Sequence, residues 1–169
     1  MTVPLDATRL VSALNEHGVE FVVIGGYAAI GHGVVRTTKD LDIVPDPRRG
    51  NLQRLAAAMR ALSAVQIGVG DFEDDEMPFD VTSPDDLAAG GNFLVGTDEG
   101  RLDIMQWVPG LAEERAYATL AGDALSTHVE GHPVRICSLA HLRLMKRAAG
   151  RPQDLQDLAD LAAAHGDDA

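Results

Sequence analysis

A chain of 169 residues with 46% hydrophobic content is about one domain's worth, with ample material for a single core. Its formal charge of −12 argues against a general nucleic-acid coat protein, because phosphate binding needs basic surface. The lone cysteine, Cys137, excludes an internal disulfide and a cysteine-rich zinc site, and no run approaches the roughly 20 apolar residues of a membrane span.

The start, MTVPLDATRL, carries an early acid and no long apolar run, so it does not read as a secretory signal and a reducing cytoplasm fits best. From Leu5 to His17, the spacing of Leu10, Val11 and Leu14 predicts an amphipathic helix, stopped by Gly18. EFVVIGG then reads as a buried strand running into a glycine pair, with a helix beginning just after Gly26. LDIVPD is a second strand, ended by Pro45 and Pro47. RGNLQRLAAAMRALSAV is rich in helix formers with an apolar stripe.

The next segment, Asp71 to Asp86, holds eight acids and no base and reads as loop, with its run Asp71 to Glu76 most simply solvated, or next best a docking patch for a basic partner. A short strand is expected ahead of it, around Gln66 to Val69. NFLVGTDEGRLDIMQW predicts a β-hairpin turning at Asp98, Glu99 and Gly100. LAEERAYATLA predicts a helix and HPVRICS a strand. Ser138 caps a helix running through Lys146 to Ala149, Gly150 closes it, and Pro152 opens PQDLQDLADLAAAH. Strands with helices between and after them imply an α/β or α+β fold in one domain over 1–169, with a core at about 5–108 and a C-terminal strand and helices at about 119–165.

Alternation along a strand puts Asp40 and Asp42 on one face while Leu41 and Ile43 enter the core. Paired carboxylates repel unless a cation sits between them, and a hard divalent ion takes oxygen ligands while keeping room for phosphates. RLDIM repeats the flanking pattern at Asp103, so a neighbouring strand would bring three acids together. Gly25 and Gly26 permit close backbone approach to an anion at a helix start. Arg36, Thr37 and Thr38 supply further donors for phosphate oxygens.

This arrangement, GGYAAIGHG followed by RTTKDLDI and a later lone Asp, resembles the nucleotidyltransferase superfamily related to DNA polymerase β. The details are similar to its small bacterial branch, which includes AbiEii-type and MenT-type toxins of toxin–antitoxin pairs. MKRAAGRPQDLQDL is similar to that branch's C-terminal Lys, Arg and Asp. The resemblance implies that Gly25 and Gly26 cradle the β- and γ-phosphates of a nucleoside triphosphate such as ATP. It implies that Asp40, Asp42 and Asp103 hold Mg²⁺, with Mn²⁺ as a substitute, and that Asp103 helps deprotonate an acceptor hydroxyl. Lys146 and Arg151 would reach the triphosphate, oriented by Asp154 or Asp157. The implied reaction is transfer of a nucleoside monophosphate to a hydroxyl, on RNA or the tRNA 3′ end in the toxin reading, with a cognate antitoxin as partner. Many members carry Gly-Ser at the turn; Gly26 stands in the second position here, which removes a hydroxyl donor.

Other readings stay open at this stage. Gly-Gly after a strand also suits a plain turn, and Asp-x-Asp suits the wet face of an edge strand. Lys146, Arg147 and Arg151 also read as a solvated helix end, and Asp154, Asp157 and Asp160, recurring every third residue, as a wet face. Tyr27 and Trp107 read as packing residues, with Tyr27 close enough to the cradle to line a base pocket. The rival functions are a small-molecule adenylyltransferase of the antibiotic-modifying kind, with a protein acceptor also open, and a non-catalytic nucleotide-binding or antitoxin-like module.

Overall fold

The apolar run before the glycines forms strand β1 (Phe21–Ile24), buried at all four positions, in a computed structural model that describes residues 3–167. β1 follows helix α1 (Ala7–Glu16), whose buried side chains are Leu10, Val11 and Leu14 and whose N-terminus is capped by the Asp6 carboxylate. Helix α2 (Gly25–Gly31) begins on the first glycine, two residues earlier than the sequence suggests. Strand β2 (Asp40–Pro45) runs back antiparallel to β1, and helix α3 (Arg49–Ala61) then buries Leu52, Leu55, Ala56 and Met59.

Three corrections follow in the middle of the chain. The short strand β3 lies at Val65–Gln66, slightly earlier than expected. The acidic stretch is not all loop: it contains a 3₁₀ turn (Asp74–Glu76) and helix α4 (Pro84–Ala88). Ser83 caps α4 through Asp86 N–H, Pro84 takes the first helical position, and Asp85 and Asp86 favour the positive helix end. Strands β4 (Phe93–Thr97) and β5 (Gly100–Ile104) make the predicted hairpin. After it, Glu113–Arg115 is a 3₁₀ turn, so helix α5 (Ala116–Asp123) begins later than the sequence suggests.

Strand β6 (Leu125–Val129) has no counterpart in the sequence reading, because its positions are mostly exposed and its pattern weak. It forms a hairpin with β7 (His132–Ile136) around Glu130 and Gly131, both at positive φ (46° and 85°), the requirement of a type I′ turn. Helices α6 (Leu139–Ala149) and α7 (Pro152–His165) close the described chain, joined by Gly150 in the left-handed conformation and by Pro152.

The seven strands form one mixed sheet in the order β3-β4-β5-β2-β1-β7-β6. β2 pairs in parallel with β5, and β1 in parallel with β7. Helices cover the sheet, and the core unites Leu10, Leu14, Val22, Leu41, Ile43, Leu55 and Leu102. Helix α2 packs on β1 and β2 and against α6, and α6 packs against α7. Among the described residues, no helix is long and apolar enough to cross a membrane.

Candidate functional site

Parallel pairing of β2 with β5 sets Asp42 opposite Asp103 and Asp40 opposite Arg101. Leu41 and Ile43 are fully buried on the other face, as strand alternation requires. One carboxylate oxygen from each of Asp40, Asp42 and Asp103 lies within 4.8 Å of the others. Asp42 Oδ1 is buried and has no hydrogen-bond partner. Burial, reinforced by the charges of Asp40 and Asp103, pushes the Asp42 carboxyl up to about 7. Burial also pushes Asp103 up to about 6, against the opposing pull of Arg101. Three converging carboxylates with an orphaned oxygen suit a hard divalent cation such as Mg²⁺ or Mn²⁺, which takes oxygen ligands and leaves room for phosphate.

The glycine pair borders these acids directly. Gly25 adopts φ +68°, and a β-carbon there would collide with the Asp42 carboxylate. A β-carbon on Gly26 would lie 2.5 Å from Arg36 Nη2 and 3.0 Å from Thr38 Oγ1. The guanidinium of Arg36 therefore fills the space that a serine side chain would need, which gives the Gly-Gly sequence a physical reason. Gly25→Ala is expected to lower stability by about 1–3 kcal/mol from backbone strain alone, and more as Asp42 is displaced. Urea denaturation of the purified variant measures it, and a loss below about 0.5 kcal/mol would contradict the packing described.

Arg36 is less free for a ligand than its sequence position suggests. Its Nε and Nη2 donate to the two oxygens of Asp157 at 2.8 and 2.9 Å, and Nη1 donates to the Thr37 carbonyl at 2.9 Å. Thr38 Oγ1 donates to the Asp40 carbonyl at 3.2 Å and so braces the start of β2.

The acids of α7 correct the wet-face reading. Asp154 and Asp157 are 1% and 0% exposed, while Lys146 on α6, read as either a phosphate contact or a solvated end, is 5% exposed. Lys146 Nζ lies 3.2 Å from Asp154 Oδ1 and 2.7 Å from Asp157 Oδ2. Arg151 adds a bond from Nε to Asp154 Oδ2 at 2.7 Å. Burial alone would push both carboxyls up. Hydrogen bonds from Arg151 and Lys146 to Asp154, and from Arg36 and Lys146 to Asp157, outweigh it and hold both below the usual carboxylate range. Periodicity identified one face of α7 and could not say that cations from α6 and from the β2 approach were waiting beneath it. Only Asp160, bonded by Gln156, remains on the outer side.

These groups line one cleft of about 1020 Å³, bounded by Gly25 and Gly26, the three acids and the α6–α7 junction, with Thr37 and Thr38 on its wall. Its remaining wall is apolar: Leu94, Met105, Val108, Leu142 and Met145. Trp107, expected to pack, instead stands 49% exposed at this wall, because β5 ends at Ile104 before it. Arg101 escaped the sequence reading, although its position two residues before Asp103 on one strand was the available signal. A second hollow of about 590 Å³, walled by Pro45, Pro47 and Tyr117, lies at the far end of β2, and none of the three acids lines it.

No protein-family model and no curated protein matches the sequence. Several solved structures do match in shape. The lincosamide antibiotic adenylyltransferase LnuA, bound to lincomycin, aligns over 95% of this chain and 99% of its own, with TM-score 0.59 and 15% identity. The antibiotic-resistance factor ANT(2'')-Ia aligns over 92% of this chain and 80% of its own, with TM-score 0.55 and 19% identity. TM1012 of Thermotoga maritima, a nucleotidyltransferase candidate, aligns over 92% and 89%, with TM-score 0.53 and 14% identity. At such identities the likeness is one of fold, and the chain has the nucleotidyltransferase fold.

Proposed function

We propose that this protein is a divalent-metal-dependent nucleotidyltransferase that moves a nucleoside monophosphate from an NTP to a hydroxyl group. The observation carrying this reading is the meeting of Asp40, Asp42 and Asp103, with an unpartnered Asp42 oxygen, directly beside the diglycine bend. The three acids would hold Mg²⁺ or Mn²⁺. When bound, such an ion neutralises the triphosphate and eases ionisation of the acceptor hydroxyl. Backbone N–H groups at Gly25 and Gly26 would cradle the β- and γ-phosphates, and Thr37 and Thr38 would add donors. A carboxylate oxygen of Asp103 would take the acceptor proton as the acceptor oxygen attacks the α-phosphorus in line. Arg151, whose side chain is 73% exposed, can turn toward the leaving pyrophosphate, and Lys146 supports it from within. Asp154 orients both cations, while Asp157 ties Lys146 to Arg36.

For the acceptor, we favour RNA, the tRNA 3′ end included, and a toxin-like role with a cognate antitoxin. The cleft supports this: along its walls Arg36, Lys39, Arg101, Lys146 and Arg151 balance Asp40, Asp42, Asp103, Asp154 and the buried Asp157 that pairs with two of them. A chain of net charge −12 thus keeps its cleft from being acidic, which suits an anionic acceptor better than a polycationic one. The likeness to LnuA and ANT(2'')-Ia supports the second reading, adenylyl transfer to a small molecule.

Incubation with each α-labelled NTP, Mg²⁺ and separate pools of RNA, protein and antibiotics distinguishes them. Label in RNA, lost in Asp40→Ala/Asp42→Ala, is the expected result; drug inactivation by ATP would establish the second reading instead. Calorimetric NTP binding with no pyrophosphate release on any acceptor would make the protein a binding module.

A further inference from the structure

Arg101 stands inside the acidic cluster. Register pairs it with Asp40 as Asp103 pairs with Asp42, so one face of the β2–β5 ladder carries a square of three acids and one base. Its guanidinium holds both oxygens of Asp103, Nε to Oδ1 at 3.1 Å and Nη2 to Oδ2 at 3.4 Å. Burial works against the charged guanidinium, but its hydrogen bonds to Asp103 and the charges of all three acids outweigh it and keep it cationic.

A divalent ion using one oxygen from each acid needs an Asp103 oxygen that this fork already occupies. A cation and a guanidinium that share that carboxylate repel each other, so each weakens the other's hold on it. The Asp103 side chain is 9% exposed and fixed within the sheet, whereas that of Arg101 is 40% exposed and ends in the open cleft. The base is therefore the partner able to move.

We propose that Arg101 is a built-in counter-ion: it neutralises Asp103 while the metal is absent, yields the carboxylate when the metal binds, and then turns to an anionic group of the substrate in the same cleft. This rests on the metal-site reading above. It makes cation and polyanion binding cooperative, since the ion alone must displace Arg101 and the substrate gives the guanidinium a new partner.

The test is Mn²⁺ binding without nucleotide, read by the electron paramagnetic resonance of free Mn²⁺, for the full chain and for Arg101→Ala, Arg101→Lys and Lys39→Ala. Circular dichroism confirms folding of each. Arg101→Ala should bind Mn²⁺ about tenfold more tightly, and Arg101→Lys, which keeps charge without the fork, by less. Lys39→Ala removes one exposed positive charge from the same cleft and should stay within about twofold. With Mn²⁺ saturating, pyrophosphate should bind Arg101→Ala at least about fivefold more weakly than the parent. Unchanged or weaker Mn²⁺ binding by folded Arg101→Ala, with the parent binding normally, would overturn the proposal alone. Mn²⁺ uptake by neither protein would remove the metal site itself, and uptake by Arg101→Ala only would support the counter-ion role.

Discussion

Asp42→Asn will raise the melting temperature of the cation-free protein at pH 7.5 by roughly 5 °C or more, while lowering nucleotidyl transfer by at least about 10³-fold. The two effects share one cause. In the folded chain the Asp42 carboxyl is pushed up to about 7, against an ordinary value of 3.8. Between those values the native state keeps a proton that the unfolded chain has released. Stability of the cation-free protein therefore falls as pH rises from about 4 to 7, and the lost amount is roughly 2–4 kcal/mol. Asparagine has no charge to bury, so the variant escapes this loss above pH 7 and gains little near pH 4. Saturating Mg²⁺ should close the gap from the other side, by supplying the parent with the counter-charge its fold lacks. Scanning calorimetry at pH 4.5 and 7.5, with and without Mg²⁺, reads all four states. A variant less stable than the parent at pH 7.5 without metal would contradict the electrostatic reading.

Asp157→Ala is the largest expected destabilisation, about 3–5 kcal/mol. It removes the fully buried carboxylate that Arg36 grips with two nitrogens and that Lys146 approaches to 2.7 Å. Arg36 loses its carboxylate, and the buried Lys146 loses its shorter ion pair and is left with the 3.2 Å contact to Asp154. Lys146→Met should cost less, because Asp154 keeps Arg151 and Asp157 keeps Arg36. Arg151→Ala should cost less than about 1 kcal/mol, since that side chain is 73% exposed. Urea midpoints of the three variants should fall in that order. Equal midpoints for Asp157→Ala and Arg151→Ala would mean that the buried network contributes nothing to holding α7 on α6.

Local patterns were legible wherever one segment carries its own reason. A buried strand, a glycine pair and an alternating Asp-x-Asp fix β1, α2 and β2 through side-chain parity and turn chemistry alone. Asp103 was legible because its flanking residues repeat those of Asp42, and equal flanks predict equal faces. The inward face of α7 was not, since its partners lie far off: Arg36 and Asp157 are 121 positions apart. An acidic stripe looks solvated until the cations that neutralise it are placed in space. Strand β6 was missed because an exposed strand lacks apolar alternation, although Glu130-Gly131 held the turn signal. Trp107 reads as a packing residue in the sequence, but the end of β5 at Ile104 leaves it 49% exposed at the cleft wall.

Anomalous diffraction from crystals grown with Mn²⁺ and a non-hydrolysable NTP tests the central claim most directly. An anomalous peak should appear within bonding distance of oxygens from Asp40, Asp42 and Asp103, with the triphosphate running toward Gly25 and Gly26. A bound nucleotide whose Mn²⁺ sits elsewhere, with those three carboxylates still facing one another, would contradict it.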